Sequence, residues 1–549
     1  MAVPNRLRSR RSAAQLHALV QVEREIRAAD TCSRRKYLRE FNSAYQEYQY
    51  VLSDHEYHAQ LLAADVILLG DYHALPKSQQ FAAELVETLA SITGRPVILG
   101  LETVFTRDQK ELDQWRSGAI GEHELKEGIR FDSEWGYEWG PFYQMLSVAR
   151  LHAAEILALD CAPRGDLRRI SARDRHAAAT VAEAHTLRPE AIFVVLFGES
   201  HMAPNHLPAL VKAAMPNQRV LTVLQNIDAL YWQAAGERES VRAVQVATDV
   251  VCVFNSTPLE KYESYRLCID RWRQTRSGGV DLAPTFFNLI DALVRFLNIP
   301  PAEVAARLPE VCHRSTLADI RKQLVKKQVS ADELSNIMRR LSEKGIAYST
   351  DLNMVFAIGF QMQDATEEAA RCVRAICSRG AARSGAEVGE DDRFYSRVLE
   401  EALVYFGSRV LYPARKAVRE SDLYHAYGQT REEVEQQSAQ PYAKFMEAMD
   451  FIVLHRDYES NLRQYWQRPE LLQQGMQYTG EQYALVTRTM GELLGTELYD
   501  AYVAGALTRR SLRSLFCRDL GAPGVSRTAY FVSVRRIKRT KPSTRRWVA

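Results

Sequence analysis

From residue 65 the chain alternates short apolar runs with amphipathic stretches of helical length. The runs are Asp65–Gly70 (DVILLG), Pro96–Glu102 (PVILGLE), Glu155–Asp160 (EILALD), Ala191–Gly198 (AIFVVLFG), Val220–Asn226 (VLTVLQN) and Asp249–Asn255 (DVVCVFN). They are rich in β-branched residues and almost free of polar breaks. Near-continuous apolar strands separated by helices predict a parallel sheet buried on both faces. The expected fold class is therefore α/β, a parallel-type central sheet flanked by helices, over residues 60–275. Residues 1–59 are charged and helix-prone and read as a helical lead-in. Around Arg273–Pro284 (RQTRSGGVDLAP) the texture changes, punctuated by Gly278, Gly279 and Pro284. Helical periodicity dominates from there, so 285–549 is expected to be α-helical, as one domain or two subdomains. A polar stretch, Ser378–Arg393, reads as a loop inside it. No chemical motif stands out in this half, and its simplest use is packing or partner binding.

Composition narrows the picture. The chain has 549 residues, 46% apolar and 25% charged, with a net charge of +3. That length suits roughly two to four globular domains. So small a net charge gives no general preference for polyanions. Basic residues gather at the ends, Asn5–Gln15 and Arg535–Ala549, where solvated tails are expected rather than nucleic-acid contacts. No apolar run approaches a bilayer span, and no secretory or lipoprotein leader is recognisable. The eight cysteines (32, 161, 252, 268, 312, 372, 377 and 517) form no CxxC pair. They read as buried or free thiols in a reducing compartment, so a cytoplasmic location is expected.

The chemistry is expected where the strands end, because ligands of open parallel sheets bind beyond the carboxyl ends of the strands. The first run leads into LLGDYH (Leu68–His73) and the fourth into LFGESH (Leu196–His201). Each reads Gly, acid, hydroxyl, His. The strand ends thus deliver Asp71 and His73, then Glu102, Asp160, Glu199 and His201, and last Asn226. Converging carboxylates and imidazoles suit either a divalent cation or general acid–base work. The catalytic candidates are Asp71, His73, Glu102, Glu199 and His201. The metal candidates are His73, Glu102 and His201. Asp160 reads equally as a site group or a helix cap, and Asn226 as a turn residue. Gly70 and Gly198 are expected to permit an unusual turn or a close backbone approach.

The segment Phe131–Leu146 (FDSEWGYEWGPFYQML) is dense in aromatics. It is either a plug over the sheet or a wall for a flat apolar ligand, with Trp135, Tyr137, Trp139 and Tyr143 as the cofactor-binding candidates. His123, His152, His176, His185 and His206 read as surface or local structural groups.

Four stretches in this order, VILLGDYHALPKSQQ, LGLETVFTRDQKELDQWRSGAIGEHEL, EWGYEWGPFYQMLSVARLHAAEILALDCAPR and VVLFGESHMAP, resemble the ChaN-like haem-binding uptake proteins. That family belongs to the superfamily that also holds the Tiki proteases, TraB and the erythromycin esterases. Its hallmark is two Gly-x-x-His motifs and a Glu on an α/β core, which map to Gly70–His73, Gly198–His201 and Glu102. The resemblance covers about residues 60–260. It implies haem or iron binding for ChaN-like members, metal-dependent peptidase chemistry for Tiki members and ester hydrolysis for the esterases. Asp71 stands where related motifs commonly carry Glu, and the helical C-terminal half lies outside the resemblance.

Three functions follow as expectations. The first is haem or iron held at the strand-end edge through the paired motifs. The second is a hydrolase of an ester or peptide bond using the same residues. The third is an inactive scaffold. The cofactor is haem, a divalent metal ion, or neither. The partner is a small-molecule ligand, with no nucleic acid and no membrane span, and the helical half offers a surface for a homodimer or a protein partner. Substrate and oligomeric state are left open.

Overall fold

The computed structural model describes residues 10–29, 36–162, 170–234, 241–273, 281–313, 316–378, 389–426, 428, 443–460 and 478–540. The outermost basic tails, Gly278, Gly279 and most of the polar stretch after Ser378 lie outside the described residues. The chain divides into two compact units, Leu19–Val280 and the combination of Met1–Ala18 with Asp281–Ala549.

The unit Leu19–Val280 holds an eight-stranded sheet. Its strands are β1 (Tyr50–Leu52), β2 (Val66–Asp71), β3 (Val97–Phe105), β4 (Glu155–Asp160), β5 (Ile192–Gly198), β6 (Val220–Gln225), β7 (Ala243–Ala247) and β8 (Val250–Val253). They lie in the order β1-β7-β8-β6-β2-β5-β3-β4. The six strands expected from the apolar runs are the contiguous parallel set, β8 to β4. Period-two alternation sends side chains to opposite faces. Ile67 and Leu69 enter one core with Ile192, Val194 and Leu196, while Val66 and Leu68 enter another with Phe193, Val195 and Phe197. Helices cover both faces: Pro76–Thr93 and Trp139–His152 lie over the first core, Ile170–Leu187 and Leu207–Ala214 over the second. Burial on both sides explains why the strands read as unbroken apolar runs.

Two strands escape the hydrophobic pattern. β1 has three residues within the stretch expected to be helical, and β7 reads AVQVA. Both pair antiparallel at one side of the sheet, β1 with β7 and β7 with β8. Such short strands gain their conformation from a neighbour's ladder rather than from their own periodicity.

The second unit is mainly helical, and the expectation of helices alone needs correcting. Strands β9 (Glu310–His313), β10 (Ile346–Ser349) and β11 (Met354–Ala357) form a small sheet in the order β10-β11-β9. Ile320, Leu324, Ile337 and Leu341 from two amphipathic helices pack on it. The long helices Glu390–Leu411 and Gly480–Val503 touch through glycines. A Cβ on Gly491 would lie 2.5 Å from Glu401 Cβ, and one on Gly495 2.7 Å from the Ala402 carbonyl. Among the described residues no helix is long and apolar enough to cross a membrane.

Candidate functional site

β2 and β5 are adjacent and parallel, with Gly70 opposite Phe197 and Asp71 opposite Gly198. The two Gly-acid-x-His motifs therefore leave the sheet side by side. β3 lies on the far side of β5 and bulges between Leu101 and Phe105, the span that carries Glu102. Bulges re-aim side chains, and this one turns Glu102 toward both motifs.

Glu102 is the hub. Its Oε2 accepts from the Gly198 backbone N–H at 2.5 Å and its Oε1 from Arg173 Nη2 at 2.5 Å. His73 Nε2 lies 3.7 Å from Oε2, and His201 Nε2 3.8 Å from Oε1. Both distances exceed a hydrogen bond. Each imidazole is held from behind by a carboxylate. Asp71 Oδ2 is 2.8 Å from His73 Nδ1, and Asp174 pairs with His201 Nδ1. Asp71 is itself held by Gln79 Nε2 at 2.5 Å, and Asp174 accepts from the Tyr37 hydroxyl at 3.0 Å. Two carboxylate–imidazole pairs thus aim their Nε2 atoms at one glutamate.

Arg173 joins the hub to β4. Its Nε and Nη2 contact the two oxygens of Asp160 at 2.7 and 3.0 Å. Asp160 is a buried anchor for Arg173 and accepts from the Cys161 N–H at 2.8 Å. Glu199 stands apart from the hub, paired at 2.9 Å with Lys261, whose ammonium lies over the Tyr72 ring. Asn226, read from the sequence as a turn residue, has a left-handed φ of 51°, and its Oδ1 accepts from the N–H groups of Asn255 and Ser256.

Gly198 has its own reason, and it is not backbone strain, since its φ is −50°. A Cβ there would lie 3.1 Å from His73 Nε2 and 3.2 Å from Glu102 Oε2. Glycine lets the imidazole and the carboxylate approach over the strand end.

The aromatic stretch divides. Trp135 and Tyr137 pack against the His73 ring, at centroid distances of 4.4 and 5.2 Å. Trp139 and Tyr143 stack on each other and meet Phe131 and Trp115, as part of the core. The helix Pro258–Arg273 adds to the rim: Trp272 meets Tyr137, and Tyr265 meets both Trp272 and Tyr72. His73 is the hub imidazole that reaches solvent, with 19% of its side chain exposed against 4% for His201.

The electrostatics follow from burial and pairing. Burial alone would raise Glu102. Arg173, both imidazoles and the Gly198 N–H reverse that and hold it far below the usual carboxylate range. Burial opposes charge on His73, but Asp71 and then Glu102 outweigh it and raise the imidazole above 6.5. Burial pushes Asp71 up, so the Asp71–His73 pair grips a proton. Glu199 is raised by burial, against the pull of Lys261.

Asp71, His73, Glu102 and His201 are therefore brought together, while Glu199 belongs to a neighbouring ion pair. As a ligand set, His73, Glu102 and His201 meet an obstacle: both Glu102 oxygens are already hydrogen-bonded, one of them to a guanidinium. Among the described residues no group of three or more His, Cys, Asp and Glu is arranged to hold a metal ion. Sequence reading missed Arg173 and Asp174, whose run RDRH looks like the polar face of a helix. Both are in fact buried, and nothing in the run itself separates them from a solvated helix face. Of the outlying histidines, His185 and His206 are buried rather than superficial; His206 pairs with Glu40 at 2.7 Å and meets the Tyr37 ring at a tilt.

Residues 57–193 match the family described as haem-binding uptake, Tiki superfamily, ChaN. The match includes β2, β3, β4 and Glu102 and stops just before the second motif. Two solved structures are similar. One, entitled "Cofacial heme binding to ChaN of Campylobacter jejuni", is 17% identical, with 32% of this chain and 86% of that chain covered and a TM-score of 0.25. The other is the type III effector HopBA1, 12% identical, with 38% and 97% covered and a TM-score of 0.27. No curated protein matches. The segment of the α/β unit that runs from residue 57 to residue 193, with β2, β3, β4 and Glu102 in it, is thus similar to the ChaN-like haem-binding uptake family of the Tiki superfamily.

Proposed function

We propose that the ChaN-like domain binds haem at the carboxyl-end edge of its sheet, with His73 offering Nε2 to the iron. The observation that carries this is the setting of His73. Asp71 holds Nδ1 at 2.8 Å, Nε2 makes no hydrogen bond to Glu102, and Trp135 and Tyr137 flank the ring. A carboxylate behind an imidazole sets its tautomer and strengthens it as a ligand. Haem iron supplies an acceptor for that nitrogen lone pair. The rim of Tyr137, Tyr265 and Trp272 provides apolar edges and faces for a porphyrin. His201 is too enclosed to meet a porphyrin and is assigned to positioning Glu102. The free thiols among the described residues suit the reducing, cytoplasmic setting of this reading.

The test is a haemin titration of the full chain, read at the Soret band. Saturable, near-stoichiometric binding is expected in the wild type and in His201→Ala, with a shifted or lost band in His73→Ala. Absence of saturable binding in the wild type, or a band unchanged in His73→Ala, overturns the assignment.

One observation favours a second reading. Two carboxylate–imidazole pairs facing one glutamate form an acid–base set, in which a neutral His73 removes a proton from water and Glu102–Arg173 steadies the charge. This reading predicts hydrolysis of a member of an ester and peptide panel, abolished in His73→Ala and in His201→Ala.

A further inference from the structure

The unit Met1–Ala18 with Asp281–Ala549 contains a cavity of about 550 Å³ that the haem reading does not use. It is lined by the apolar Ile299, Val304 and Ile376 and by Arg307, Arg510 and Arg513. Two cysteines also line it, Cys377 and Cys517. They lie 140 positions apart in the sequence, a spacing that hides the pairing. Cys377 is in the last turn of the helix Met362–Ser378, and Cys517 caps the helix Arg509–Phe516. Cys517 is exposed and Cys377 half-buried, and both line this one cavity.

The charged residues that line the cavity are three arginines. Arg510 and Arg513 form no salt bridge among the described residues, and Arg307 spends a hydrogen bond on the Ile376 carbonyl. Behind the thiols lies Arg374, 5% exposed, whose Nη1 donates to the Phe516 carbonyl at 2.7 Å. Its Nε is buried without a hydrogen-bond partner. Burial opposes the charge of Arg374, and Glu400, the two thiols and Asp519 act the other way. Both thiols sit at helix C-termini, where the macrodipole opposes negative charge. The hydrogen bond from Cys377, with Arg513 and Arg374, overrides burial and brings the Cys517 thiol down to about 6.

We propose that Cys377 and Cys517 are a redox-active dithiol whose substrates are small carboxylate-bearing disulfides, drawn into the cavity by Arg307, Arg510 and Arg513. The Cys517 thiolate attacks one sulfur of the substrate. A Cys517–substrate S–S bond forms, the substrate S–S bond breaks, and one half leaves as thiolate and takes a proton. Cys377, having lost its proton to solvent, then attacks Cys517 Sγ. The Cys377–Cys517 bond forms, and the second half leaves as a thiolate that is protonated in turn. The dithiol is oxidised by two electrons and the disulfide is reduced by two.

The experiment uses the full reduced chain with oxidised glutathione as the anionic probe and cystamine as the cationic one, at equal concentrations. Modified cysteines are located by peptide mass mapping. Cys517 is expected to react first, and the wild type to end as the Cys377–Cys517 disulfide. Cys377→Ser is expected to retain the mixed disulfide on Cys517. Oxidised glutathione should react about tenfold faster than cystamine, a preference that Arg510→Gln reduces. Alkylation of Cys517 by iodoacetamide should show a pH midpoint below that of a free thiol. If Cys377→Ser fails to fold, the wild-type mapping, probe preference and alkylation profile still decide. Reaction at Cys517 no faster than at the half-buried Cys161, or cystamine as fast as oxidised glutathione, overturns the proposal.

Discussion

At the scale of single residues, the site is a set of buried charges that lean on one another. Asp71 touches His73 and not a ligand, so it is a positioning residue. Asp71→Asn keeps the shape and removes the charge, and haemin affinity should fall about 10–100-fold, as for other carboxylates behind a ligating histidine. A haemin titration of that variant beside His73→Ala checks this. The ligating form is the neutral imidazole, and its proton affinity is raised above 6.5. Haemin affinity should therefore climb as pH rises through a range above 6.5, and Asp71→Asn should move that range down. Stability runs the other way. A raised folded value means that the protonated His73 stabilises the fold below 6.5, and that this contribution fades as pH rises through the folded value. Arg173 is more costly to remove. Arg173→Met leaves Glu102 and Asp160 buried without their cation and should cost about 3–5 kcal/mol, read as a lowered denaturant midpoint.

At the scale of elements, the functional geometry comes from which strands are neighbours. His73 and Glu102 meet over Gly198 because β2, β5 and β3 are consecutive in the sheet. Gly198→Ala would wedge a methyl between them. It should cost about 1–3 kcal/mol and weaken haemin binding at the same time, whereas an ordinary core change would lower stability alone. The helical unit offers a second test. Gly495→Ala should raise intrinsic helix propensity by about 1 kcal/mol, yet its Cβ would meet the Ala402 carbonyl and the Tyr405 side chain. The clash should win, with a net loss of about 1–3 kcal/mol in chemical unfolding. The six apolar strands were legible because burial on both faces leaves an unbroken β-branched run. β1, β7 and the small sheet of the helical unit were not, being three to five residues long and dependent on their neighbours' ladders.

At the scale of the whole molecule, both units keep carboxylates charged in their interiors by arginine. Burial would raise Glu102 and Glu401, yet Arg173 holds the first far below the usual range, and Arg371 with Arg397 holds the second at about 2. A depressed folded value stabilises the protein above the ordinary carboxylate value and loses that stabilisation as pH falls toward the folded one. Acid unfolding followed by circular dichroism should therefore begin below about pH 4.5, and Arg173→Met should shift its onset upward. The amino-acid order by itself determined the α/β class, the six parallel strands and the polar groups their ends deliver, because local hydrophobic periodicity and strand-end position are properties of the nearby chain. It carried the two Gly-acid-x-His motifs and Glu102 in plain view for the same reason. Only the tertiary structure decided that Arg173 and Asp174 complete the hub, that Trp135 and Tyr137 but not Trp139 and Tyr143 flank His73, and that Cys377 and Cys517 line one cavity. Those partners come from elements far apart in the chain, and long-range pairing of buried charges and thiols leaves no periodic trace in the residues that make it.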